Sequence, residues 1–162
     1  YSVSRISQLT QRTNQFNMTT WRLSESQVIE INNAKNWKIL SIRASDRFGD
    51  NGVVGCIFLE SDPVSQEYFI RNFILSCRVF SRGIEISCLQ KLLTKIKSTG
   101  GTAVFGEYIS SSRNGKVSDF YLNNGFFPVE SANTESEKVI YKHTLDIIED
   151  NVNWISIETD NS

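Results

Sequence analysis

The chain has 162 residues, 40% of them apolar and 11% aromatic, which is material for one globular domain with a buried core. Lys plus Arg number 17 and Asp plus Glu 18, so there is no global basic field to hold nucleic acid or an anionic membrane, and any anion site must be local. No apolar run approaches the ~20 residues needed to cross a bilayer, and no signal-peptide pattern opens the chain. Cys56, Cys77 and Cys88 are odd in number and widely spaced, with no CxxC or Cys/His cluster, which argues against a disulfide framework or a zinc site and for the reducing cytoplasm. The first residue is Tyr1 rather than Met, which reads as a segment of a longer protein.

Residues 1–22 are polar and rich in Gln, Asn and Thr, and read as an N-terminal linker or arm. Ser24 followed by Gln27 is a capping box, and Val28, Ile29 and Ile31 carry the helix it starts to about Ala34. Trp37 to Ala44 alternates as a strand does. Asp46-Arg47-Phe48-Gly49-Asp50-Asn51-Gly52 breaks it with hairpin chemistry, the tight turn expected at Asn51-Gly52, and Gly52 to Leu59 is the returning strand. A third strand is expected over Glu67 to Leu75. Ile86, Leu89, Leu92, Leu93 and Ile96 then recur at helical spacing over 84–97, ended by Gly100-Gly101. Thr102 to Ile109 reads as a buried strand, Val117 to Asn123 as a short helix, and Phe126 to Val129 with Lys138 to Leu145 as a final strand pair around an exposed loop. The pattern is one α+β domain over 23–146, followed by an acidic tail, 147–162, in which Trp154 has no assigned place.

The junction Ser76-Cys77-Arg78-Val79-Phe80-Ser81-Arg82-Gly83 joins the third strand to the long helix. A helix start leaves backbone N–H groups without partners, a ready anion site. Gly83 lets the backbone come close, and Arg78 and Arg82 bring charge suited to a phosphate. Cys77 stands beside them as a candidate nucleophile, its thiolate favoured by Arg78 and the helix terminus. Cys56 and Cys88 fall on core patterns and read as structural. Asp46 and Arg47 at a strand end are either hairpin charges or groups for proton transfer and substrate binding. The lone histidine, His143, sits in the last strand and is at most a reserve base for Cys77.

The element order, with Arg78, Ser81 and Gly83 in a Gln/Arg-x-x-Gly-x-Gly/Ala register, resembles the GCN5-related N-acetyltransferase (GNAT) fold: a mixed, mostly antiparallel sheet flanked by helices. Ser81 departs from the pattern at its middle glycine. A more extended resemblance runs from about residue 5 to 127. Gln8 to Asn17, Asp46-Arg47-Phe48-Gly49-Asp50, Ser76-Cys77-Arg78-Val79 to Glu85, Tyr108, Asn114, and Asp119-Phe120-Tyr121 with Gly125-Phe126 are similar to the C-terminal, GNAT-like part of FkbH-like proteins. In that family a haloacid-dehalogenase (HAD) phosphatase half is joined to the GNAT-like half. Together they move a glyceryl unit from 1,3-bisphosphoglycerate, with loss of phosphate, to the phosphopantetheine thiol of an acyl carrier protein, some of them inside polyketide synthases. The HAD motif Asp-x-Asp-x-Thr is absent from this chain, so the phosphatase partner would lie outside it.

The resemblance implies an acyltransferase working through a thioester on Cys77, with Asp46, Tyr108 and Asn114 as further catalytic groups. Arg78, Ser81, Arg82 and Gly83 would grip phosphopantetheine, and Asn14, Asn17, Arg47 and Glu107 would line the substrate. Partners would be the carrier protein, the HAD-type domain and a small acyl phosphate donor, with no nucleic acid, no membrane, no metal and no tightly held cofactor. Ser81 narrows the turn and so favours phosphopantetheine over the bulkier pyrophosphate of coenzyme A. The alternatives are an acetyl-CoA-dependent N-acetyltransferase, which needs no cysteine, and a non-catalytic module that docks a carrier protein.

Overall fold

A computed structural model describes residues 2–129, 137–150 and 152–158. Within them, α1 (Val3–Arg12), β1 (Phe16–Asn17), α2 (Glu25–Asn33), β2 (Trp37–Asp46), β3 (Gly49–Asp62), β4 (Glu67–Leu75), α3 (Ile84–Ser98), β5 (Ala103–Ile109), β6 (Phe127–Pro128) and β7 (Lys138–His143) follow in order, with single-turn 3₁₀ helices at Gly115–Val117 and Leu122–Asn124. The sheet order is β2-β3-β4-β5-β7-β6, with β1 added on β4. Only β4 and β5 run parallel, joined by the α3 crossover. The α+β class and the mixed, mostly antiparallel sheet are as the sequence predicts. No helix among the described residues is long and apolar enough to cross a membrane.

Both faces of the sheet are covered. Ile57, Leu59, Ile70 and Phe73 pack under α3 with Leu89, Leu93 and Ile96, while Cys56, Phe58 and Ile74 meet Ile6, Leu9 and Val28 of α1 and α2. This is why β3 and β4 are apolar at successive rather than alternate positions. Gly106 exists because Tyr121 lies flat against β5: a Cβ there would sit 2.5 Å from the ring. Gly106→Ala is therefore expected to cost about 1–3 kcal/mol by overpacking, read as a lowered midpoint in thermal unfolding.

Three local expectations are corrected. The stretch expected to be an arm is part of the domain over its described residues, 2–22: α1 and β1 are integral, with Ile6, Phe16 and Met18 fully buried. Its polar composition hid this, because Ser7 and Thr10 are themselves buried, donating to Leu23 O (2.7 Å) and Ser7 O (2.8 Å). The hairpin reverses at Arg47-Phe48, not at Asn51-Gly52: Asp46 pairs with Gly49, and its Oδ1 accepts from Phe48 N at 2.8 Å. That side-chain-closed turn takes the reversal, and Gly52 (φ +67°) serves the register break beside Arg43 instead. The helix expected over 117–123 is two 3₁₀ turns around Phe120 and Tyr121, which turn inward to the core. Most of the loop expected before Lys138 lies outside the described residues.

Candidate active site

β4 ends at Leu75, and the next residues close into a tight turn. Val79 N and Phe80 N both donate to Ser76 O (3.1 and 3.2 Å), while Ser76 N is held by Val54 O (2.7 Å). Val79 is buried by this winding, and Cys77 and Arg78 are turned out to solvent. The exposed Cys77 sulfur thus sits at the C-terminal end of the sheet's central strands. The other two cysteines differ: burial pushes the Cys56 thiol up to about 12, and burial, then Glu85, does the same to Cys88. Both are structural, as expected from their core patterns.

The rest of the turn is more occupied than its sequence suggests. Ser81 (φ +69°) and Gly83 (φ +89°) both hold left-handed backbone, which costs Ser81 about 1–2 kcal/mol. The N–H groups of Ser81, Gly83 and Glu85 lie close enough to the Glu85 carboxylate to favour its charged form, so the chain brings its own carboxyl to the turn that the sequence had left for a ligand phosphate. Glu85 is buried, its Oε2 has no hydrogen-bond partner, and it borders a cavity of about 250 Å³ with Phe80, Ile86, Lys116, Phe120 and Asn123. Burial raises its pKa above the usual 4.5 despite those amides. The folded state therefore holds this proton more tightly than the unfolded chain, and stability from this group falls as pH rises through the raised value. Wild type is expected to lose stability relative to Glu85→Gln between pH 4 and pH 8, seen in thermal unfolding followed across that range.

Gly83 is covered by the C-terminal segment. A Cβ there would lie 3.2 Å from the Trp154 ring and 3.3 Å from Val152, and Trp154 Nε1 donates to Arg82 O at 3.1 Å. Trp154, which the sequence could not place, belongs to this turn.

β4 and β5 pair only as far as Ile70 and Gly106, although β4 runs on to Leu75 and β5 to Ile109. The wedge between them is filled by residues 16–19. Phe16 and Asn17 pair with Leu75 and Ile74, Met18 N donates to Phe73 O (3.2 Å), and Met18 O accepts from Ile109 N (2.8 Å). Amide side chains lock this insert in place. Asn72 Nδ2 donates to Asn17 Oδ1 (2.9 Å), Thr19 N donates to Asn72 Oδ1 (3.0 Å), and Asn114 Nδ2 reaches Asn17 O (3.1 Å) and Ile109 O (2.8 Å). An extended ligand chain that would add to the β4 edge here finds the edge already paired.

Comparison with models of known protein families finds no match, and neither does comparison with curated proteins. Solved structures do match. The ribosomal-protein-S18-alanine N-acetyltransferase from Escherichia coli aligns over 93% of this chain and 92% of its own, with TM-score 0.65 and 13% identity. An aminoglycoside 6'-N-acetyltransferase complexed with coenzyme A aligns over 91% and 93%, also with TM-score 0.65 and 13% identity. Tetrahymena GCN5 aligns over 88% and 86%, with TM-score 0.61 and 8% identity. The fold is that of the GNAT acetyltransferases.

On this GNAT scaffold, the expected site residues separate. Cys77, Arg78, Ser81, Arg82 and Gly83 share one turn. Asn114 is not a free oxyanion donor: both Nδ2 hydrogens are engaged as above, and Oδ1 accepts from Ser111 N (2.8 Å) and the Tyr108 hydroxyl (3.2 Å). Tyr108, buried, spends its hydroxyl on the same atom. Asn17 is wholly buried, with its amide on Thr13 O and Trp21 O, and Asn14 accepts from Arg22; both are engaged within the fold. Glu107 is buried and ion-paired to Arg71 and Lys138, a strut across β4, β5 and β7 rather than a base. Asp46 and Arg47 lie at the hairpin tip, four residues past Ile42, or roughly 13 Å beyond the end of β4. There Asp46 closes the turn and Arg47 stacks 4.6 Å over Phe48. His143 pairs with Val104, whose partner Tyr68 is seven residues from Leu75, about 23 Å along β4. Its Nδ1 accepts from Leu145 N, and burial lowers its pKa; it is no base for Cys77.

Sequence reasoning missed Arg5. Its Nε donates to Val53 O at 3.0 Å, one residue from the carbonyl that holds Ser76, so it stands beside the Cys77 turn. It also passed over Asn72 and Glu85. The signal for Arg5 was available: residues 1–24 contain three arginines and no carboxylate.

Proposed function

We infer that this domain is an acyltransferase in which Cys77 briefly carries the acyl group on its way to the phosphopantetheine thiol of an acyl carrier protein. The cargo is a glyceryl or similar three-carbon hydroxyacyl group, such as lactyl, derived from 1,3-bisphosphoglycerate in polyketide biosynthesis. A HAD-type phosphatase domain acts with it on the same donor. The observation that carries this reading is the exposed thiol of Cys77 next to Arg78, at the mouth of a wedge that the chain has closed with its own residues 16–19.

The chemistry is two exchanges at one carbonyl. Cys77 loses its proton to solvent and its thiolate attacks the acyl carbonyl. The tetrahedral intermediate collapses, breaking the bond to the donor's oxygen or sulfur and leaving a thioester. The carrier's pantetheine thiolate then attacks that thioester and expels the Cys77 thiolate. Splitting the transfer in this way replaces one meeting of three bulky components by two simpler ones. Arg78 is the charge nearest the sulfur in sequence and is suited to the donor's phosphate or the developing oxyanion.

One feature weighs against direct use of coenzyme A: the Glu85 carboxyl stands by the Ser81 and Gly83 amides, where the pyrophosphate that phosphopantetheine lacks would have to sit. The test is intact-mass spectrometry of the chain with the glyceryl thioester of N-acetylcysteamine, and with 1,3-bisphosphoglycerate generated in place, followed by holo-acyl carrier protein. A glyceryl adduct on Cys77 that moves to the carrier supports the reading. Tight coenzyme A binding with acetyl transfer to an amine independent of Cys77 replaces it with a conventional N-acetyltransferase. Carrier binding with no adduct reduces the domain to a docking module.

A further inference from the structure

Although the chain as a whole is slightly acidic, two of its segments carry no Asp or Glu at all: residues 1–24, with Arg5, Arg12 and Arg22, and residues 68–84, with Arg71, Arg78 and Arg82. The fold packs these segments side by side. Arg5 Nε is bound to Val53 O at 3.0 Å and Ser76 N to Val54 O at 2.7 Å, so α1 and the Cys77 turn are fastened to consecutive residues of β3. Arg12 lies seven residues after Arg5, two helical turns along the same face of α1. The closeness of the three guanidinium groups is felt at Arg5, whose pKa is lowered first by burial and then by Arg78 and Arg12.

Two of the other arginines of these segments, Arg71 and Arg22, are spent elsewhere. Arg71 is ion-paired to Glu60 and Glu107, and Arg22 ties down the last carbonyls of α1. Among the described residues, the ion pairs involve only Arg43, Arg71 and Lys138 as cations, so Arg5, Arg12, Arg78 and, further along the Cys77 turn, Arg82 have no carboxylate partner there. Packing like charges together without counter-charges lowers stability, and an anionic surface brought from outside relieves the arrangement.

The geometry points to Arg5, Arg12 and Arg78 as a docking surface for the acidic face of a carrier protein, which sets the carrier so that its phosphopantetheine thiol falls at Cys77. This deepens the functional reading above and rests on it. Arg78 is closest to the sulfur and is placed to meet the phosphodiester of the arm. Arg5 and Arg12, farther back on α1, meet carboxylates of the protein that bears it. The bidentate fit of guanidinium to carboxylate and phosphate suits both tasks. Such a surface acts chiefly on the encounter rate and on the orientation of the bound carrier, and salt weakens it.

The test measures binding and acylation separately on the full chain. Binding is followed by fluorescence anisotropy of a labelled, acidic holo-acyl carrier protein at low and high salt, with free phosphopantetheine as competitor. Acylation of Cys77 is followed by intact mass with the N-acetylcysteamine thioester. Arg12→Glu is expected to weaken carrier binding about tenfold or more and to flatten its salt dependence. Arg12→Ala should weaken it less, and Lys91→Glu on the exposed side of α3 should not change it. Thermal unfolding checks that both Arg12 variants are folded. Carrier binding indifferent to Arg12→Glu and to salt overturns the docking surface, even if Cys77 acylates normally. Free phosphopantetheine competing as tightly as the whole carrier overturns it too, since the arm alone would then account for binding. Arginine-dependent, salt-sensitive carrier binding with no adduct on wild-type Cys77 supports the surface and overturns the thioester relay instead.

Discussion

Replacing Cys77 by alanine is expected to abolish the acyl adduct and to reduce transfer to the carrier by roughly a thousandfold or more, because a covalent step removed has no partial substitute. The fold should not notice. The side chain is exposed and none of the hydrogen bonds of the turn involves its sulfur, so the unfolding midpoint should move by no more than about 1–2 °C. Cys77→Ser gives the more diagnostic result. A serine hydroxyl ionises far less readily than a thiol, and His143, about 23 Å away along the strand, is no base for it. The serine variant should acylate very slowly, and the resulting ester should resist the pantetheine thiol. Intact mass before and after carrier addition reads both. A Cys77→Ala protein that still carries a glyceryl adduct would end the relay mechanism.

The largest effect on stability is expected at Asn114. Its side chain bonds Asn17 O, Ile109 O, Ser111 N and the Tyr108 hydroxyl, all within a buried region. Asn114→Ala strands those groups without replacements, and each buried polar group left alone costs about 1–3 kcal/mol. With some relaxation, a loss of roughly 3–5 kcal/mol follows, which lowers the melting midpoint by roughly 10 °C or more in a domain of this size. Asn114→Asp keeps the acceptor and loses the two donations, so it should fall between alanine and wild type if the domain stays folded. Acylation of Cys77, assayed well below the transition, should survive in Asn114→Ala, because the residue acts by pinning residues 16–19 between β4 and β5. A variant that melts like wild type and loses acylation would restore the oxyanion role read from the sequence.

These two residues show what could and could not be read from the chain. Cys77 was singled out from its own junction and then by the resemblance, Asn114 by the resemblance. Cys77 lies where a strand ends and an exposed turn begins, and local sequence signals both. Asn114 lies in a polar loop, where sequence gives no indication that all its hydrogen bonds would be met by partners 3 to 97 residues away. Hydrogen-bond saturation is a property of the assembled structure, and a loop asparagine looks the same whether it is waiting for substrate or fully engaged.

Glu85 makes the same point. In the chain it is an acidic residue in the first turn of a helix, a favourable but ordinary placement. In three dimensions its carboxyl lies by the amides of Ser81 and Gly83 and is buried there, where burial outweighs them and raises its pKa. Trp154 closes the same turn from 72 residues away, by a contact no local pattern announces.

What the sequence determined by itself is everything governed by short range. The α2 capping box, the span of β4, the apolar face of α3 and the glycine stops follow from spacing and backbone preference, which act over a few residues. Only the tertiary structure decided that residues 2–22 are part of the domain, that the hairpin turns at Arg47-Phe48, that the β4–β5 wedge is filled from within, and that arginines without carboxylate partners gather beside one exposed thiol. Each of these depends on which distant groups become neighbours and use up one another's donors, acceptors and charge, and that accounting exists only once the chain has folded.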